Sequence, residues 1–339
     1  MYCKSRALLR QEFGLGEAPR FERSNHKSTS CSTGTDNCEE WNLNRMELSH
    51  LTNPIATPKQ LQTSASQIDG VPPELEESVR YESSKLIQTA GVLLRLPQEV
   101  IAEAIIIFTR FWVGPEGGSL TQHSAMDIAS ATIYLVTKPS AHAVSPRQLL
   151  SVLWYLYKLP QNLSLESLSK VTLADSFLPE GTYQDALTSL VQNEAHILRV
   201  LGYQTHVALP YTLCINYLQT LEVFSAPEEG IALAKRAFAY LNIALLSPQC
   251  VYLTHQPHAI ATSAIYLASK ETGVKLPGDE WWEVFDVDRE ELGFLVVALI
   301  SMTGFAEQEA QRWTGRKTPL TVEELQAEIE TQRLMENGE

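Results

Sequence analysis

Few groupings of side chains in this 339-residue chain have the types and spacing for chemistry. Cys250, His255 and His258 offer a thiol and two imidazoles, loosely the spacing of a zinc site. A closed zinc site needs four such ligands and no second cysteine stands nearby, so no metal is expected. Asp286 and Asp288, in FDVDREE, resemble an acidic cation loop, but the glycine and spaced glutamate of such a loop do not follow. Asp288 suits the cap of a helix beginning near Arg289 instead. GPEGG at 114–118 is a turn, because a phosphate-cradling loop would continue into Lys and Ser or Thr. Nucleophile motifs are absent. Phe108, Phe111 and Trp112 form an aromatic cluster that fits a core better than a ligand cage. Thr57, Ser145, Ser247 and Thr318 each precede a proline, as substrates of proline-directed kinases do and as ordinary turns and helix starts also do. None of these groupings supports an active site, so no cofactor, metal or small-molecule substrate is expected.

The elements that would position any binding residues are helical. An eleven-residue phrase occurs twice: IASATIYLVTK from Ile128 and IATSAIYLASK from Ile260. Ile, Ala, Ile, Tyr, Leu and Lys recur in place, and the exchanges between copies are small for small. Apolar and small residues cover every face, so each copy predicts a helix packed on all sides. Each ends on a lysine, Lys138 or Lys270, where a cation suits the helix C-terminus. A repeat at one fixed offset predicts two similar domains. Helical periodicity places helices near 74–95, 97–112, 123–138, 147–157 and 182–201, with Gly202 capping the last. A second set follows near 211–221, 227–246, 257–270, 278–285 and 289–303. Leu149, Leu150, Leu153 and Trp154 lie on the fourth helix of the first set. No stretch alternates as a strand would. The fold class expected is all-α, two consecutive five-helix bundles.

The ends read differently. Residues 1–70 are rich in Ser, Thr, Asn and Gln without periodicity and predict a disordered arm. Residues 71–205 and 206–305 predict the two bundles, and 306–339 a polar tail. There Thr321 and Glu324 form a capping box ahead of one short exposed helix. The polar stretch 159–181 is long for a loop in a compact domain. Hydrophobic residues make up 44% of the chain, enough for two cores. Lys plus Arg number 26 against 40 Asp plus Glu, a net charge of −14 that argues against direct nucleic-acid binding. Five scattered cysteines predict reduced thiols rather than a disulfide framework. No apolar run is long enough for a membrane span or a secretory signal, so a soluble intracellular protein is expected.

Two five-helix bundles, each with a buried third helix, resemble the cyclin family. SSKLIQTAGVLLRLPQEVIA at 83–102, ILRVLGYQTHVALPYTLCINYLQTLE at 197–222, and AIATSAIYLASKETGVKLP with WWEVFDVDREEL within 259–292 are similar to cyclin L and cyclin Q. The resemblance covers about 75–305 and implies two cyclin boxes. It implies a regulatory subunit that binds and activates a cyclin-dependent Ser/Thr kinase in RNA polymerase II transcription or linked RNA processing, in the nucleus. It also implies a kinase-binding pair, a lysine ending the third helix and a glutamate in the fifth; Lys138 and Glu194 occupy those places. Leu149 and Leu153 either line the kinase groove or belong to the core. The chain departs from the family after Lys138, where KPSAHAVSPRQLL lacks two acidic residues common in cyclins, and it has no Arg/Ser-rich tail. An alternative is a scaffold like transcription factor IIB, whose zinc ribbon and basic faces are missing here.

Overall fold

The computed structural model describes residues 51–159 and 178–337. Expectations for residues 1–50 and 160–177, including Cys3, Cys31 and Cys38, and for Gly338 lie outside them. Every regular element among the described residues is helical. The first bundle comprises α3 (Pro73–Leu93), α4 (Gln98–Trp112), α5 (Ala125–Thr137), α6 (Pro146–Lys158) and α7 (Glu180–Val200). Two short helices precede it, α1 (Pro58–Gln62) and α2 (Ala65–Ile68). The second bundle comprises α8 (Tyr211–Thr220), α9 (Pro227–Ala244), α10 (Val251–Thr254), α11 (Pro257–Thr272) and α12 (Arg289–Arg312). The last helix is α13 (Val322–Asn337).

The repeated phrase forms α5 and α11, and each sits at the centre of its bundle. Helix α5 packs against α3, α4, α6 and α7; α11 packs against α8, α9, α10 and α12. The phrase admits hydroxyls because each finds a carbonyl one turn back. Thr132 Oγ1 donates to Ile128 O at 2.7 Å, and Ser263 Oγ donates to Ala259 O at 2.7 Å. These bonds satisfy buried polar groups without leaving the helix. Phe108, Phe111 and Trp112 are buried in edge-to-face contact in the first core, so the aromatic cluster is packing.

Helix ends follow local chemistry. Ser124 Oγ accepts from Asp127 N, opening α5, and Asp288 Oδ1 accepts from Glu291 N at 2.7 Å, opening α12 as expected. Helix α7 closes with Gly202 at φ 57° and with Tyr203 N donating to Leu198 O at 2.8 Å, the six-to-one bond of a glycine-terminated helix.

Four expectations need correction. The fourth helix of the second set, placed at 278–285, is only a 3-10 turn at Trp281–Phe285. The fifth does not stop near 303: FAEQEAQR offers good helix formers without a break, and α12 runs on to Arg312, across the boundary drawn at 305. The tail helix is not simply exposed. Leu325 and Ile329 are buried, and the helix and the segment ahead of it are bonded to the first bundle: Met126 N donates to Leu320 O, Tyr157 Oη donates to Glu324 Oε1 at 2.7 Å, and Lys317 Nζ donates to Tyr157 O at 2.6 Å. The Thr321–Glu324 capping box is present.

The fourth correction concerns the arm, because residues 51–70 are ordered. Asn53 is buried; its Nδ2 donates to Ala208 O at 2.8 Å and its Oδ1 accepts from Ala208 N at 2.7 Å. Its backbone N–H donates to Gln256 Oε1, and Gln256 Nε2 donates back to Asn53 O. Arg110 Nη2 reaches the same Oδ1 at 3.3 Å. Asn53 thus bonds α4, the link between bundles and the start of α11 at once. Farther along, Ser64 Oγ and Gln67 Nε2 both donate to Glu76 of α3, and Ser119 Oγ donates to Asp69. Single polar side chains hold this segment, so no hydrophobic period announces it.

Candidate functional site

Lys138 ends α5 and Glu194 lies in the third quarter of α7, and the packing of these two helices brings them together. Lys138 Nζ lies 2.5 Å from Glu194 Oε1 and 2.6 Å from Oε2. The same ammonium sits 4.3 Å from the centre of the Tyr134 ring, one turn back on α5. The lysine side chain is 45% exposed and the glutamate side chain 11%. The pair is therefore held from below and open from above. An ammonium has three donors and a carboxylate about four lone-pair sites, so each keeps hydrogen-bonding capacity beyond its partner. A donor and an acceptor side by side suit the unpaired backbone groups at the end of another helix.

The second bundle gives an internal control. Lys270 repeats the lysine, and its Nζ lies 5.3 Å from the Tyr266 ring centre, so the Tyr–Lys contact belongs to the repeated phrase itself. No carboxylate pairs with Lys270 among the described residues. Glu194 is what separates the first copy from the second.

Apolar side chains flank the pair. On α7, Leu190 and Ile197 are buried, whereas Val191 is 53% exposed and Leu198 is half-buried. At 100° per residue Glu194 falls between the buried stripe and the exposed one. Tyr203, just past the helix, is 70% exposed. The sequence places Val191 and Leu198 in phase with the core. The structure shows a second apolar stripe on α7 that no other described element covers. Two stripes wider than one helix can bury was the available signal.

Of the two places open to Leu149 and Leu153, groove or core, the structure shows the core. They are 0% and 1% exposed, enclosed in the first core, and offer no surface to a partner. They point inward because α6 is amphipathic and its polar face carries Arg147, Gln148 and Lys158. Cys250, His255 and His258 do not converge; Cys250 Sγ lies 3.8 Å from Arg80 Nη1, and His255 Nδ1 bonds Thr254. Among the described residues no three His, Cys, Asp or Glu side chains cluster as metal ligands would. His123 and His196 stack with ring centres 4.5 Å apart beside Phe111. Burial lowers both imidazoles below the usual histidine range, which keeps them neutral near pH 7. No described helix is long and apolar enough to cross a membrane.

Paired all-helical bundles, each around one copy of the same buried helix, form the architecture of a cyclin fold. The sequence comparisons agree. Cyclin-L1-1 of Oryza sativa subsp. japonica is 33% identical over 236 residues, 68% of this chain and 50% of that protein. Cyclin-L1-1 of Arabidopsis thaliana is 30% identical over 69% of this chain and 52% of its own length. Cyclin-L1 of Danio rerio is 29% identical over 71% and 45%. The chain belongs to the cyclin family and is cyclin L-like. It spans about half the length of the curated relatives it matches. No protein-family model matches it. Among solved structures, a chain of the yeast RNA Pol II CTD kinase CTDK-1 complex superposes with a TM-score of 0.57 at 14% identity, covering 83% of this chain and 84% of that one, a likeness of fold.

Proposed function

We propose that this cyclin is the regulatory subunit of a cyclin-dependent Ser/Thr kinase working in the nucleus, in RNA polymerase II transcription or linked RNA processing. Its two boxes are assigned to 71–205 and 206–305, with α12 continuing beyond the second. The observation that carries the reading is the Lys138–Glu194 pair, open to solvent and flanked one turn away on α7 by Val191 and Leu198. The apolar stripe covers one face of a kinase helix, and the pair bonds backbone at its end. Kinase catalysis requires a lysine and a helix glutamate in the kinase to pair before ATP phosphates are oriented. A cyclin acts by binding that arrangement more tightly than the inactive one. Turning a 1:99 equilibrium into 99:1 takes about 5.5 kcal/mol of preference, which an extended helical face supplies and one ion pair does not. The cyclin performs no chemistry itself. The RNA Pol II CTD kinase complex named for its structural neighbour supports the transcription setting. The acidic balance disfavours a scaffold of transcription factor IIB type, which needs basic faces to meet DNA. Co-purification of the tagged chain followed by mass spectrometry tests the proposal. A cyclin-dependent kinase in near-equal amount is expected; recovery without any kinase overturns it.

A further inference from the structure

A cavity of about 430 Å³ lies where the arm meets the first bundle and the start of the second. Thr57, Lys59 and Gln60 of the arm line one side, residues 114–117 and Arg110 of α4 another, and the end of α7 a third. The walls are close: a Cβ at Gly114 would stand 3.2 Å from Gln60 Cγ.

Arg110 is incomplete in this setting. Its Nη1 donates to His206 O at 2.7 Å and its Nη2 to Asn53 Oδ1 at 3.3 Å, both neutral acceptors. Its Nε is buried with no partner among the described residues. No carboxylate there lies within ion-pair distance of it. Glu103, earlier on α4, acts on it only through space, and Glu116 on the rim is exposed. Burial brings the guanidinium down to about 10 despite Glu103. A partly desolvated cation with an unmet donor favours an anion beside it. Lys59 adds a second positive charge to the same wall.

Thr57 supplies the means. Its hydroxyl is exposed, is bonded to Gln60, and is followed by Pro58. We propose that Thr57 is a phosphorylation site and that its phosphate is received by Arg110 and Lys59 in this cavity. In the step itself, Thr57 Oγ1 bonds to the γ-phosphorus of ATP on a proline-directed kinase. The bond to the ADP oxygen breaks, and the hydroxyl proton leaves to the kinase's base. The product carries about −1.5 to −2 charges and three acceptor oxygens, enough to offset the Arg110 guanidinium and the Lys59 ammonium on the same wall. It would tie the arm, and with it Asn53, more firmly to the junction of the bundles.

The inference does not depend on which kinase the cyclin activates. The test incubates the full chain with ATP and a purified proline-directed kinase, maps phosphate by mass spectrometry, and melts both forms at low and high salt. Incorporation at Thr57, absent from Thr57→Ala, is expected. The modified chain should melt about 2 °C or more higher, a gain that shrinks at high salt. The gain should fall in Lys59→Gln, an exposed substitution that leaves the fold intact, and vanish in Arg110→Gln. No phosphate on Thr57, or a melting temperature unchanged or lowered by it, overturns the proposal. Stabilisation by inorganic phosphate alone, without incorporation, also overturns it and assigns the cavity to a free anion.

Discussion

Lys138 and Lys270 are the same residue in the same phrase, and their difference rests on one carboxylate. Lys138→Glu places two carboxylates together where the α7 stripe is exposed, and should weaken kinase binding at least tenfold, about 1.4 kcal/mol. Lys270→Glu, with only its Tyr266 ring contact to lose, should leave binding within about twofold. A titration by surface plasmon resonance separates the two. Asn53 carries a different kind of weight. Asn53→Ala leaves the N–H and C=O of Ala208 unpaired in a buried place and removes an acceptor from Arg110. A loss of about 2–3 kcal/mol in urea unfolding is expected, because stranded buried groups cost more than the bond itself. The resemblance named Lys138 and Glu194 and periodicity placed them on the third and fifth helices; that these helices pack together is seen in the structure. Asn53 was not legible in the sequence. One asparagine in a polar stretch carries no period, and its partners at Ala208 and Gln256 lie far along the chain.

At the scale of elements, the turn between α4 and α5 is set by close approach. Gly118 N donates to Phe111 O at 2.7 Å, and a Cβ at Gly118 would meet the Phe111 ring at 2.1 Å. Gly118→Val should cost about 1–3 kcal/mol by forcing that ring from the core; the decrease in urea midpoint measures it. The tail is held by Tyr157 and Glu324, and both titrations bear on it. Burial works to raise the Glu324 carboxyl, but bonds from Tyr157, Leu320 N and Thr321 outweigh it and leave the group below its usual range. Its contribution to docking is therefore present above the unfolded carboxyl pKa and is lost as pH falls through the lowered one. The bond to Glu324 pushes the Tyr157 phenol up to about 12, so its contribution holds below the unfolded phenol value and is lost as pH rises through about 12. Trp313 fluorescence followed against pH should show the tail loosening at both extremes, and Tyr157→Phe should move the acid edge to higher pH and remove the alkaline one. The central helices α5 and α11 could be read from the repeat because burial on every face leaves a continuous apolar signature. The docking of α13 could not: Leu325 and Ile329 make only a thin stripe among acidic residues, and the surface they cover is far away in sequence.

Among the described residues, the segment 51–70, the two bundles and the tail are cross-tied. Asn53 joins α4 to the link and to α11, and Lys317 and Glu324 join the tail to α6. With residues 51–70 and the tail both bonded to the bundles, the α5–α7 surface keeps one geometry, as a binder that selects one conformation of its partner must. The negative charge of −14 suits a protein that works through other proteins. The central claim is that this face, centred on Lys138 and Glu194, holds a cyclin-dependent kinase in its active state. The most direct measurement is the phosphorylation rate of the co-purified kinase, titrated with wild-type chain, Lys138→Glu and Lys270→Glu, each first shown folded by circular dichroism. The account predicts activation by wild type and Lys270→Glu and at least a tenfold loss of potency for Lys138→Glu. Equal activation by folded Lys138→Glu would contradict it.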